Sequence, residues 1–114
     1  IIAALPARAR ARAAGIMAAF SETLRLDLAA LGPARSEVIA ALAQDPFQPA
    51  EAAAALARLR EKSMILQATA HQLVTEIARD PEPADRERFA QALYQRAIDG
   101  VPLAGLAAPG VLHD

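Results

Sequence analysis

Apolar residues recur along this chain at helical spacing, in three stretches separated by two proline-bearing breaks. In the first stretch Met17, Phe20, Leu24, Leu28, Leu31, Val38 and Leu42 stand three, four or seven positions apart, which sets them on one side of an α-helix. Pro6 suits the first turn of that helix, where its missing N–H has no partner to lose. Gly32 and Pro33 interrupt the stretch, since a proline inside a helix removes one hydrogen bond and crowds the carbonyl four residues back. Leu31, Val38 and Leu42 keep the phase across it, so the spacing predicts one helix over about 6–44, kinked at Gly32-Pro33.

Asp45-Pro46-Phe47-Gln48-Pro49 is the first break, because each proline pushes the residue before it out of the α region, and the chain reverses there. Pro49 fits the first position of the next helix. Glu51 fits the third, where a carboxylate meets free N–H groups and the positive end of the helix dipole. This helix is predicted over about 49–79. Its stripe of Leu56, Leu59, Ser63, Leu66, Ala70, Leu73 and Ile77 alternates steps of three and four, the seam of a coiled-coil-like hairpin. Asp80-Pro81-Glu82-Pro83 makes the second break. A short helix over about 84–99 follows, with Phe89, Leu93 and Ala97 on one face and Gly100 to end it. Residues 100–114 place Pro102, Gly105, Pro109 and Gly110 among small apolar residues and read as an irregular C-terminal tail. The expected fold class is all-α, an elongated antiparallel helical hairpin forming a single domain over 1–99.

Composition narrows the class further. The 114 residues include 31 alanines and 14 leucines, with only 4% aromatic side chains, so helix formers dominate and a β-sandwich is excluded. Twelve basic and thirteen acidic residues leave a formal charge of −1, so the whole-molecule field is not that of a nucleic-acid binder. The one basic run is Arg8, Arg10 and Arg12. Arg8 and Arg12 lie one turn apart with Arg10 on the opposite side, which is a solvated surface and not a basic stripe. Absence of cysteine removes disulfides, thiolate zinc sites and cysteine nucleophiles together. No apolar run approaches the roughly 20 residues that span a bilayer. The chain begins at Ile1 without methionine, as an excised or processed piece does, so localisation is not read from this segment itself.

A helix of about 30 residues is roughly 45 Å long. Two such helices and one short one make a thin hairpin with little interior, and its apolar stripes want more cover than one copy supplies. A homodimer that buries the remaining stripe is the expectation; the competitor is a monomeric bundle whose short helix covers the groove.

The order of these features resembles a known family. A long first helix containing Phe20, the turn Asp45-Pro46-Phe47-Gln48-Pro49, a long segment with Leu66-Gln67, and Pro83-Ala84-Asp85-Arg86 leading to Phe89 and Leu93 look like the periplasmic heavy-metal sensor family. That family, typified by cobalt and nickel resistance sensors, is related to the Spy-type periplasmic chaperones, whose repeated Leu-Thr-Pro-x-Gln-Arg motif is echoed loosely by Leu5-Pro6-Ala7-Arg8-Ala9-Arg10 and Pro83-Ala84-Asp85-Arg86. The resemblance spans about residues 5–97. It implies a hooked, dimeric helical hairpin in the periplasm, tethered to the inner membrane by a helix upstream of Ile1. It also implies metal ligands: early histidines one turn apart, a carboxylate on the first long helix, and a His-x-x-x-Met pair further on. Counting from Pro46, Gln67 and Pro83 puts Met17 at the carboxylate position and Leu73 and Ile77 at the His-x-x-x-Met positions. All three belong to the apolar stripes, so they read as packing.

Other chemistry is sparse. Met64, Gln67 and His71 stand at i, i+3 and i+7, and an imidazole with a thioether suits a soft metal such as copper. A closed site needs about four donors, so His71 and Met64 are weak metal candidates for copper, nickel, cobalt or zinc, completed only if a dimer brings two copies of His71 together. His113 beside Asp114 is a weaker one. Serines and threonines are scattered without a glycine-flanked elbow, the five glycines are isolated, and Asp85 and Glu87 sit where they favour a helix start, so no enzyme is expected. The leading expectation is a periplasmic stress or heavy-metal sensor domain that works by dimerisation and contact with a membrane-anchored regulatory partner. Behind it stand a Spy-like holdase for unfolded client proteins and a plain helical oligomerisation module.

Overall fold

A computed structural model describes residues 5–98, which are helical with no strand. The helices are α1 (Ala7–Ala29), α2 (Leu31–Ala43), α3 (Pro49–Ala78) and α4 (Pro83–Ile98). The tail expected over 100–114, His113 within it, and the packing of Ala97 lie outside the described residues. Together α1 and α2 form one bent rod that runs antiparallel to α3, and α4 follows the second break and buries Phe89 in the interior cluster. The radius of gyration is 17.5 Å and the extents are 59 × 26 × 22 Å. A globular chain of this length has a radius of about 13 Å, so the molecule is a rod.

The bend falls at Ala30, just before the Gly32-Pro33 pair. Ala30 stays near helical geometry at φ −67° and ψ −18°, and its N–H still reaches the Leu26 carbonyl at 3.1 Å. The displacement has a simple cause. Pro33 has no N–H to offer the carbonyl of Ala29, and its ring crowds that carbonyl, so the distortion appears upstream of the proline. The expected helix over about 6–44 is therefore observed as α1 and α2 with a one-residue joint.

The interior is concentrated in the half of the rod that contains α1, the second half of α3 and α4. Leu66, Leu73 and Ile77 of α3 pack against Met17 and Leu24 of α1 and Phe89 of α4, with Phe20, Val74 and Leu93 at the margin. Leu73 is 0% exposed. Ala9, Ala13 and Ala70 are also buried, and their small side chains let α1 and α3 approach closely. Full burial of a leucine contributes about 1.5–3 kcal/mol, so these few large residues dominate the stability of the rod.

Polar contacts lock the same half. The Arg12 guanidinium donates to the carbonyls of Ile77 and Glu76, each at 2.9 Å. These belong to the last turn of α3, which has no basic residue of its own, so Arg12 supplies the positive charge that a helix C-terminus favours. Arg12 thus leaves the solvated surface on which its spacing from Arg8 and Arg10 had put it. The buried Thr69 hydroxyl donates to Asp27 at 2.6 Å, tying α3 to α1, and lies 3.2 Å from the Ile65 carbonyl. At the second break the buried Asp80 carboxylate accepts the Glu82 N–H at 2.9 Å. The Arg86 guanidinium donates to the Asp80 carbonyl at 3.0 Å, which closes the turn into α4.

Four positions expected in the seams lie outside them. Leu56 and Ser63 of α3 are exposed, and the buried row continues from Leu59 through Ala55 and Ala52. Leu56 follows Ala55 by one residue, about 100° around the helix, so only one of the two can face inward. Leu28 is turned out beside Asp27, which faces α3 to receive Thr69. Leu42 is exposed at the end of α2, where Val38 is the last large apolar residue that the seam accepts.

Candidate functional site

Beyond the bend, α2 and the first half of α3 form an arm of different construction. Its seam is closed by Ala34 and Val38 on one side and Ala52 and Ala55 on the other. These small side chains bring the helices together but leave the larger apolar residues outside. Ile39 is 68% exposed, Leu42 55%, Phe47 51% and Leu56 43%.

One ion pair sets the register of the arm. Arg58 Nε donates to the Glu37 carboxylate at 2.7 Å, which places residue 39 across from 56 and residue 35 across from 60. Glu37 and Arg58 each precede a seam residue by one position, Val38 and Leu59 respectively. Ile39 and Leu56 each follow one, Val38 and Ala55. In two antiparallel right-handed helices, one step past the seam turns both side chains to the same side of the hairpin, opposite to the side reached by one step before it. Ile39 and Leu56 therefore lie side by side on one face. Arg35 and Arg60, which follow Ala34 and Leu59, share that face one turn nearer the bend. Neither arginine has an ion pair among the described residues. The opposite face is an open groove lined by Glu37, Gln44, Glu51 and Arg58 with alanines between them.

The metal candidates are placed clearly. His71 and Met64 are both exposed on α3, Met64 at 62%. Seven residues of helix separate them by about 10.5 Å along the axis, and both Cα–Cβ bonds tilt toward the helix N-terminus, so the two side chains do not converge on one ion. His71 borders a shallow depression with Ala68, Gln72, Thr75, Glu76 and Arg79, and its carbonyl accepts the Thr75 hydroxyl at 2.9 Å. Among the described residues no three histidines, aspartates or glutamates gather within reach of one metal ion. Met17, Leu73 and Ile77 are all buried in the interior cluster.

Hydroxyls and carboxylates have local work. Ser21 donates to the Ala18 carbonyl at 2.9 Å, one turn back on its own helix. A hydrogen bond from Arg25 at 2.6 Å, and then the charge of that guanidinium, hold the Glu22 carboxyl below its ordinary range. Both groups are fully exposed on α1, so this is a surface pair and not a poised acid. The face bearing Arg35, Ile39, Leu56 and Arg60 is a candidate surface that the spacing alone does not single out. Its signal was present in Arg35, Ile39 and Leu42 at i, i+4 and i+7, but Leu42 also fitted the seam. Among the described residues no helix is long and apolar enough to cross a membrane. Set against family models, curated proteins and solved structures, the chain matches none.

Proposed function

We propose that this chain is a non-catalytic protein-interaction domain, a helical hairpin that braces one end with a packed core and holds an apolar face out on the other. Its work is homodimerisation and contact with a partner protein. The observation that carries this reading is the pairing of Ile39 and Leu56 on one face of the arm, with Leu42 about one turn nearer the tip, all three exposed. Single apolar residues are ordinary on protein surfaces, whereas large apolar side chains set side by side on one face mark a contact surface. Covering the exposed part of each side chain contributes about 1 kcal/mol.

The resemblance in the order of helices and turns supplies the setting: a periplasmic stress or metal-resistance sensor, tethered to the inner membrane, whose partner is a membrane-anchored regulator. Copper, nickel, cobalt or zinc enters that setting through His71 only if pairing brings two copies together, since one chain offers no converging set of donors. A Spy-like holdase is the second reading, favoured by the openness of the arm, which admits apolar segments of unrelated sequence. Light scattering tests the first reading: a mass twice the 12.0 kDa of one chain is expected, falling to a single chain in the double variant Ile39→Glu, Leu56→Glu. A single-chain mass at every concentration, with no binding to any partner, overturns it. Suppression of client aggregation by the monomeric wild-type chain would favour the holdase.

A further inference from the structure

We infer that the arm is covered by a second copy of this chain, packed face to face and antiparallel about a two-fold axis that crosses the arm at Ile39 and Leu56. This rests on the homodimer reading above and deepens it by giving the occupant, its orientation and one specific charge pair.

The argument comes from the layout of charge on the face. Moving from bend to tip, the face carries Arg35 beside Arg60, then Ile39 beside Leu56, then Leu42, and the loop with Asp45 and Phe47 follows at the tip. Arg35 lies about 6 Å from the Ile39 level on the bend side at 1.5 Å per residue, and Asp45 lies on the tip side, beyond the end of α2 at Ala43. A parallel pairing sets α2 of one copy on α3 of the other, so Arg35 lands on the partner's Arg60 and two like charges meet. An antiparallel pairing sets α2 on α2. Ile39 then meets the partner's Ile39, and Arg35 reaches past the end of the facing helix to the partner's Asp45. The Asp45 carboxylate is exposed and has no hydrogen bond or ion pair among the described residues. The apolar centre drives association, and the charge pair chooses between the two orientations.

Sedimentation velocity on the purified chain, read as a dimer dissociation constant, tests this. Arg35→Asp and Asp45→Arg are each expected to weaken dimerisation about fivefold to tenfold, and the double variant to recover most of the loss, with less difference among all four at high salt. The natural chain has no cysteine, so Ile39→Cys reports the axis directly: oxidation is expected to link it to itself, while Arg35→Cys stays unlinked. Circular dichroism of each variant confirms that the helices are intact. A dimer indifferent to Arg35 and Asp45 and unlinked by Ile39→Cys overturns the arrangement while leaving the homodimer reading standing. A chain that remains monomeric to millimolar concentration overturns both. So does a monomer that binds phosphatidylglycerol vesicles through the same arginines, which would make the face a lipid contact.

Discussion

Along α3 a single heptad row runs from one end of the molecule to the other, but it carries leucine and isoleucine in its second half and alanine in its first. In the braced half, Leu66, Leu73 and Ile77 meet Met17, Leu24 and Phe89, and α4 adds a third helix over the pair. In the arm, Ala52 and Ala55 meet Ala34 and Val38, and only two helices are present. Alanine permits close approach but hides little apolar area, so the arm stays straight on helix propensity and on its continuity with the braced half. The third helix completes the difference: α4 lends Phe89 to the interior cluster of the braced half, while the seam of the arm is α2 against α3.

The largest test of this contrast truncates one leucine in each half. Leu73→Ala leaves a cavity in a packed cluster and is expected to cost about 2–5 kcal/mol of unfolding free energy. Leu56→Ala is expected to cost the monomer about 1 kcal/mol or less, because its side chain is only partly covered and leaves no cavity. Urea denaturation at a concentration below dimerisation measures both, and equal losses would break the comparison.

A smaller effect is expected at the polar lock of the braced half. Arg12→Met keeps the aliphatic stem but leaves the carbonyls of Glu76 and Ile77 without their donor, at a cost of about 1–3 kcal/mol. Hydrogen exchange should show the added opening in the last turn of α3 and in α4, with amides of the arm unchanged. Smaller again, and opposite in sign, is Gly15→Ala. A methyl group at Gly15 meets nothing within 4 Å, so the gain in helix propensity, up to about 1 kcal/mol, should appear as a raised melting temperature.

The least effect belongs to pH. Glu22 titrates below its ordinary value of 4.5 because of Arg25, so the pair contributes to stability at neutral pH and loses that contribution as pH falls through the lowered value. NMR titration of Arg25→Gln should return the Glu22 transition to the ordinary range and leave the other glutamates where they are.

Much of this architecture was legible in local chemistry. Pro49 and Glu51 mark the start of α3, Asp80 to Pro83 mark the second break, and the row from Leu66 to Ile77 names the buried face, because each depends on backbone geometry or on spacing within one helix. The kink was legible too, displaced only by the backward action of Pro33 on Ala29. Arg12 was not, since its partners are carbonyls sixty-four and sixty-five residues away that become neighbours only when α1 lies against α3. The same holds for Thr69 and Asp27.

The face of the arm shows where the two kinds of information divide. Spacing alone admits Leu56 and Ser63 as well as Ala52 and Ala55 for the first half of α3, since both rows join Leu59 and Leu66 at steps of three, four or seven. Hydropathy prefers the leucine. In the structure alanine meets alanine there, and that half of α3 faces the other way, with Glu37 and Arg58 paired on the surface beside the seam. What the sequence determined by itself is the set of helices, their ends and the braced core, all consequences of short-range backbone and propensity terms. Which apolar row faces inward in the arm, and so which residues remain for another molecule, was decided only by tertiary structure, because burial is a property of two surfaces in contact and the identity of the second was not written in the first.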